Sequence, residues 1–171
     1  SSGWVQVDLY DVISFDTGIS EISDGDSIDQ LVSGATADVK RVVLESGTWA
    51  GNDAEGRLIL DNISGTFDAT NIIRVSAVNS ATSTSLVTAI TITPGGRYQT
   101  IVTNFGGQLD TRRIYGCDNV NQGFEFDGDV YVPIATGMTV DVPEEVWVHK
   151  QQLFFAFKSS SQNSGIGEPY Q

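Results

Sequence analysis

The sequence predicts an all-β protein made of antiparallel sheets, and three observations carry that expectation. Short runs rich in β-branched and aromatic residues recur along the chain, many alternating apolar with polar at period two. Clusters of Gly, Asn, Asp and Ser separate them at close spacing, among them SDGDS, NISGT, TPGG, NFGGQ and FDGDV, each a turn signal. Eighteen glycines against four prolines suit many tight turns between short strands.

Taken in order, the expected strands lie in WVQVDLYDV (4–12), VKRVVLES (39–46), GRLILDN (56–62), NIIRVSAV (71–78), LVTAITIT (86–93), YQTIVTNF (98–105), VYVPI (130–134) and EVWVHKQQLFFAF (145–157). Residues 27–75 form a Gly-punctuated meander and read as a small barrel-like or sandwich-like module. In it Leu58 and Leu60 fall on one side of their strand and Arg57, Ile59 and Asp61 on the other, so at least one side can be buried. Trp49, Phe67 and some ten aliphatics make a thin core, which predicts that the module leans on a neighbour. It is read as an insertion into a body made of residues 1–26 and 76–171.

The aromatic text lies in that body. Phe124 and Phe126 share one face of a strand, Asp127-Gly128 has the chemistry of a two-residue type I′ turn, and Asp129–Val132 returns antiparallel. Further on, Val146 and Val148, then Leu153, Phe155 and Phe157, mark two strands around a polar turn at His149–Gln152.

Composition narrows the function. A chain of 171 residues is one domain, or one with an appended subdomain. It contains no stretch near the roughly 20 apolar residues that a transmembrane helix requires. Nine Lys and Arg against 22 Asp and Glu give −13, a surface that repels phosphate backbones and argues against specific nucleic-acid binding. Residues 1–70 carry 13 acidic and 3 basic side chains, so the negative charge is concentrated there. One Cys and one His exclude an intrachain disulfide and a zinc cluster. The opening SSGWVQVDLY lacks the basic end and apolar run of a signal peptide. Its start without Met and the abrupt GEPYQ ending predict a processed chain or a piece of a longer one.

Each candidate site has a plainer structural counterpart. Glu125, Asp127 and Asp129 suggest a pair of glycosidase carboxylates, yet Asp127 occupies a favoured turn position and Glu125 alternates with Phe residues of buried type. Asp24, Asp26 and Asp29 offer hard oxygen ligands for Ca²⁺, without EF-hand order or its distal Glu, so an acidic loop is the expectation and no metal is assigned. His149 reads as a solvent-facing turn residue and Cys117 as a small buried one. Arg97, Arg112 and Arg113 form the basic cluster, suited to pairing with the acidic half of a neighbouring copy. Trp4, Trp49, Trp147, Tyr131 and Tyr170 suit cores, subunit interfaces or sugar stacking. Of these, Arg97, Arg112, Arg113, Trp147 and Tyr170 are the expected interface residues. The loops TPGGRY and NFGGQ lack the Lys and following helix of a phosphate cradle.

Two stretches carry a resemblance: RRIYGCDNVNQGFEFDGDVYVPIATG, then VPEEVWVHKQQLFFAFKSSSQNSGIGEP. A strand ending in an Asn/Gly turn leads to F-x-F-D-G, an aromatic return strand, a Pro and a hydrophobic strand. A basic turn, an L-F-F strand and an S-G-x-G-x-P segment follow. This order resembles the blades of β-propeller-like tail proteins of tailed bacteriophages, including nozzle and tail-tip components. SGATADVKRVVLESGTWAGNDAEGRLILDNISGTF likewise resembles a small β module recurring in phage tail and fibre proteins. A four-stranded blade takes roughly 40–45 residues and closure about four to eight blades, so this chain supplies partial blades only.

The resemblance implies a non-enzymatic structural protein of the virion tail, without cofactor, assembled in the host bacterial cytoplasm. Its implied partners are further copies of itself in a ring and other tail proteins, with only passive contact to passing genome DNA. A carbohydrate-binding host-attachment module is the alternative, and a glycoside hydrolase a third reading.

Overall fold

The computed structural model describes residues 3–105 and 112–171, and among these it is all-β, with fourteen antiparallel strands and no helix. The chain divides into two units: Tyr10–Ile90, and Ser1–Leu9 together with Thr91–Gln171.

The first unit is a closed barrel. Its strands are β1 (Asp11–Gly18), β2 (Ser27–Gln30), β3 (Thr36–Ser46), β4 (Ala54–Ser64), β5 (Ile72–Val75) and β6 (Val78–Ser83). They pair in the order β4-β3-β2-β5-β6-β1, and β1 pairs back onto β4, so six strands close the ring. A short β7 (Thr88–Ala89) continues beside β1 at Asp11 and Val12, where β6 has left it. Alternation sends Ile13, Phe15, Ile28, Val39, Leu58, Leu60 and Ile73 inward, all nearly inaccessible to solvent. Phe67, from the β4–β5 connection, completes that interior.

One polar side chain is sealed in with them. Gln30 is wholly buried; its Nε2 donates to Asp68 O (2.8 Å) and Ser83 Oγ (2.9 Å). Its Oε1 accepts from Asp68 N (2.7 Å) and Ser33 Oγ (2.8 Å). All four valences of the amide are used, so burial carries no penalty for unmade bonds, and the Phe67 connection is tied to the wall.

The expected module boundaries at 27 and 75 therefore move outward. Residues 10–26 and 76–90 supply β1, β6 and β7, and with them Ile13, Phe15, Ile22 and Ala81 of the interior. The neighbour on which the thin core was expected to lean is the module's own flanking chain. Two predicted strands are cut by backbone geometry. Tyr10 adopts a left-handed φ of 59° and ends the run WVQVDLYDV, leaving β1 to start at Asp11. Ser76 and Ala77 (φ 49° and 65°) fold NIIRVSAV into a two-residue hairpin between β5 and β6.

The second unit consists of two meanders. The first is a four-stranded sheet of β8 (Gln99–Thr103), β9 (Arg113–Cys117), β10 (Gly123–Phe126) and β11 (Tyr131–Ile134), each beside its sequence neighbour. The second is three-stranded: β12 (Glu145–His149), β13 (Gln152–Phe157) and β14 (Ser160–Asn163), the last unforeseen. Tyr115, Cys117 and Ile134 of the first sheet share one core with Val146, Leu153 and Phe155 of the second. The sheets thus pack through their inner faces. Gly123 makes room for this, since a Cβ there would lie 2.3 Å from the Phe155 ring.

The hairpin chemistry differs from expectation at Asp127-Gly128, while the expected turn at His149–Gln152 is found in place. Asp127-Gly128 opens a four-residue loop, in which Asp127 Oδ1 accepts from the amides of Asp129 and Val130 (2.8 Å each), so the return strand begins at Tyr131. Like Ser76-Ala77, Lys150-Gln151 is a two-residue loop with both φ positive (48° and 60°), closed by the His149–Gln152 pair. There the amide of Gly167 donates to Gln151 O at 2.7 Å.

Candidate functional site

Register decides which side chains the two-sheet unit shows to solvent. On β12 and β13, Val146 faces Phe155 and Val148 faces Leu153, all toward the core. The intervening pairs Glu145–Ala156, Trp147–Phe154 and His149–Gln152 therefore share the outer face. There Trp147 and Phe154 stack with ring centres 5.4 Å apart at 11°, and Trp147 remains 38% exposed. Glu145, His149, Gln152, Ser161 and Asn163 surround this pair, an aromatic centre inside a polar rim.

The four-stranded sheet carries a second patch on its own outer face. Phe124 and Phe126 project there, with Tyr131, which is paired with Phe126. Phe124 stacks on Tyr131 (5.0 Å, 23°) and meets the edge of Tyr98 (5.8 Å, 78°). With Val7, Leu9 and Ile92 they line an open, almost wholly apolar groove of about 300 Å³. Phe124 lies close over Gly116, which carries no side chain: a Cβ there would meet Phe124 Cζ at 2.4 Å. Burial beside Tyr98 and Asp118 pushes the Tyr131 phenol above its ordinary pKa.

Glu125, between those two phenylalanines, points the other way. It is buried, and its Oε2 accepts from Tyr115 (2.9 Å) and Tyr170 (2.5 Å), while Arg113 Nε lies 3.5 Å from Oε1. This carboxylate is a structural clasp between β9, β10 and the C-terminal segment. Asp127 is spent on the loop described above, so the suggested pair of catalytic acids serves as one clasp and one turn.

The three acids considered for a cation are spent as well. Asp24 pairs with Arg41 (3.0 Å) and accepts from Val42 N, Asp26 accepts from Ser23 N, and Asp29 pairs with Arg74. Each acid is held by different partners, and among the described residues no group of three metal-ligating side chains forms. A polar groove beside Asp29 and Asp38 is satisfied internally, since Asp38 accepts from Ser27 Oγ (2.7 Å) and Asn62 Nδ2 (2.9 Å). Those two bonds hold the Asp38 carboxyl below its ordinary pKa.

The remaining expected residues separate. Cys117 is buried and free, its thiol pushed up to about 12 chiefly by desolvation, with Asp118 and Glu145 adding negative charge. His149 is exposed at the end of β12. Arg97 and Arg112 are exposed, whereas Arg113 turns inward to Glu125. Tyr170 joins it there, so two of the five expected interface residues spend their polar ends inside the unit. Trp49 stacks on Phe15 in the barrel (5.4 Å, 11°), and Trp4 is exposed.

Sequence reasoning passed over Phe154 and Tyr98. Counting outward from a two-residue loop at 150–151 places Phe154 opposite Trp147; the signal that would have found it was register. Tyr98 enters its patch through sheet pairing of β8 with β9, which no local pattern encodes. Compared with known proteins, the chain matches no protein-family model, no curated protein and no solved structure.

Proposed function

We propose that this protein is a non-enzymatic structural component of a bacteriophage virion, a tail protein that assembles with copies of itself and with other tail subunits around the DNA channel. The observation that carries the reading is where the chemistry has gone. Glu125, Asp127, Asp24 and Asp29 each hold a strand, loop or arginine in place, while aromatic surface gathers on outward sheet faces. Rigid sheets that spend their acids on scaffolding and present apolar faces suit assembly. The excess of acid suits a wall past which DNA slides without adhering. Immunogold labelling of particles from the source, with antiserum against this chain, is expected to mark tails. Intact, tail-bearing particles that stay unlabelled, with the chain also absent from their protein content, would refute it.

A second reading, a carbohydrate-binding attachment module, draws on the Trp147–Phe154 stack with Gln152, His149 and Asn163 around it. Saturable binding on a glycan array, lost in Trp147→Ala, would favour it over the scaffold.

A further inference from the structure

We infer that the apolar groove at Tyr98, Phe124 and Tyr131 is a docking site for an extended segment of a different protein, one in which Lys or Arg alternates with apolar residues. This inference deepens the assembly reading above and rests on it for the kind of partner, another subunit of the particle. The groove itself carries the apolar half of the argument. Four aromatic and three aliphatic side chains line its roughly 300 Å³, with no basic side chain among them. Tyr98 and Val7 are exposed at 53% and 45%, so the apolar surface is open to a partner rather than sealed within the unit.

The acids around the groove carry the other half. Exposed Asp8 lies between Val7 and Leu9 in the chain. Asp127 follows Phe126, and exposed Asp129 shares its loop. Asp118 is near enough for its charge to act on the Tyr131 phenol. An apolar floor within an acidic rim fits a partner that carries both kinds of group. Its apolar side chains and the aliphatic stems of Lys and Arg lie on the rings, while the cationic heads reach the carboxylates. An acidic segment would be repelled, and a sugar would lose water from its hydroxyls over this floor without replacement.

Ring geometry favours such a chain over a small quaternary ammonium ion. Capture of a bare cation uses ring faces turned toward one point. Here one face of Phe124 is stacked on Tyr131 (5.0 Å, 23°), its tip lies over Gly116, and Tyr98 meets it edge to face (5.8 Å, 78°). The result is a strip of apolar carbon and not a cage. The occupant is a different protein because this chain has no such segment to give. Its nine Lys and Arg are adjacent only at Lys40-Arg41 and Arg112-Arg113, and of these Arg41 is paired with Asp24 and Arg113 with Glu125. Its net −13 would also set a second copy against the rim.

The test is fluorescence anisotropy of a labelled peptide, Leu-Lys-Leu-Arg-Leu-Lys, titrated with the full chain at low and at physiological salt. Saturable one-to-one binding is expected, weaker as salt rises. Peptides with Glu in place of Lys and Arg, or with Gly in place of Leu, should each bind roughly tenfold more weakly or worse. Tyr98→Ala should weaken binding by roughly thirtyfold, the effect of removing a central aromatic anchor. Asp8→Lys and Asp129→Lys should each weaken it by roughly three- to tenfold and flatten the salt dependence. These two exposed positions keep the test available if Tyr98→Ala unfolds.

Absence of binding at millimolar peptide overturns the inference. So does binding unchanged in Tyr98→Ala and in both charge variants, which would put the peptide elsewhere on the acidic surface. Equal binding of the Glu or the Gly peptide overturns it too, as does self-association of wild type that is lost in Tyr98→Ala while the peptide fails to bind. Tails labelled by antiserum with no peptide binding would remove the groove assignment and leave the tail reading standing. Tyr98-dependent binding with unlabelled particles would do the reverse.

Discussion

Gly116→Ala tests whether the aromatic groove is built on the absence of one side chain. The new Cβ would lie 2.4 Å from Phe124 Cζ, 2.7 Å from Cε1 and 3.0 Å from Gln99 O. Carbon atoms in ordinary contact sit at about 3.5–4.0 Å, so the ring must retreat by roughly 1 Å or more. It has nowhere easy to go, with Tyr131 stacked on one side and Tyr98 at its edge. Overpacking of this kind costs about 1–3 kcal/mol, and the disturbed aromatic pairs about 0.5–1.5 kcal/mol more. The lower chain entropy of Ala in a strand returns about 0.5–1 kcal/mol. The net expectation is a loss of about 2 kcal/mol, read by urea denaturation of the full chain. Phe124→Leu alone should cost about 1–2 kcal/mol through the cavity it leaves. In the double variant the clash is gone, so the two costs should fall short of their sum by about 1 kcal/mol or more. Additive costs, or a Gly116→Ala protein as stable as wild type, would refute the argument that this glycine shapes the groove.

Three further outcomes follow from buried or hydrogen-bonded groups. Gln30→Leu keeps the volume but strips Asp68 N of its acceptor inside the barrel; it should lower stability by about 2–4 kcal/mol in the barrel's unfolding transition. Ellman's reagent at pH 8 should leave Cys117 unmodified in native protein and modify it fully in denaturant. Because the folded thiol is raised to about 12 from an ordinary value near 9, its stabilising contribution is complete below pH 9 and is lost as pH climbs from there toward 12. The Asp38 carboxyl, lowered by Ser27 and Asn62, favours the folded state above its ordinary pKa and loses that contribution as pH falls through the lowered folded value. An NMR titration should find its midpoint below that of a free Asp and moved upward in Ser27→Ala.

The strand text was legible where side chains alternate against a single core. VKRVVLES sits within β3, where apolar and polar positions alternate; GRLILDN sits within β4 and VYVPI ends in β11, read from β-branched and apolar content, since Leu58, Ile59 and Leu60, and Tyr131 and Val132, are buried on both faces. It misled where NIIRVSAV doubles back at Ser76-Ala77, whereas the turn at His149–Gln152 was read in place from its polar residues. Ser76-Ala77 and Lys150-Gln151 hold left-handed φ without Gly or Asn, at a steric cost that packing elsewhere must offset. The Asp-Gly that advertises such a turn opens a longer loop, since Asp127 can cap two amides at once. Barrel closure was also hidden: β1 meets β4 across some forty residues, and no local pattern records a pairing that distant.

The same reasoning explains why the candidate site was only half visible. Trp147 stands out by composition, but its face is fixed by the phase of β12, and that phase depends on the two-residue loop inside the polar His149–Gln152 turn. Shift the loop by one residue and Trp147 turns into the core while Val146 and Val148 turn to solvent. The core prevents this, because Val146, Leu153 and Phe155 pack against Tyr115, Cys117 and Ile134, and a slipped register would bury the Glu145 charge in their place. Lys150 and Gln151 are therefore held in their unusual conformation by side chains several residues away. The outward position of Trp147 follows from burial on the opposite face, and Glu125 follows the same rule in the other direction. Set between Phe124 and Phe126, it must face the core, and it is tolerated there because Tyr115 and Tyr170 deliver hydroxyls to it. A carboxylate in that position cannot be moved without disturbing both sheets, which makes it a poor place for chemistry and a firm one for shape.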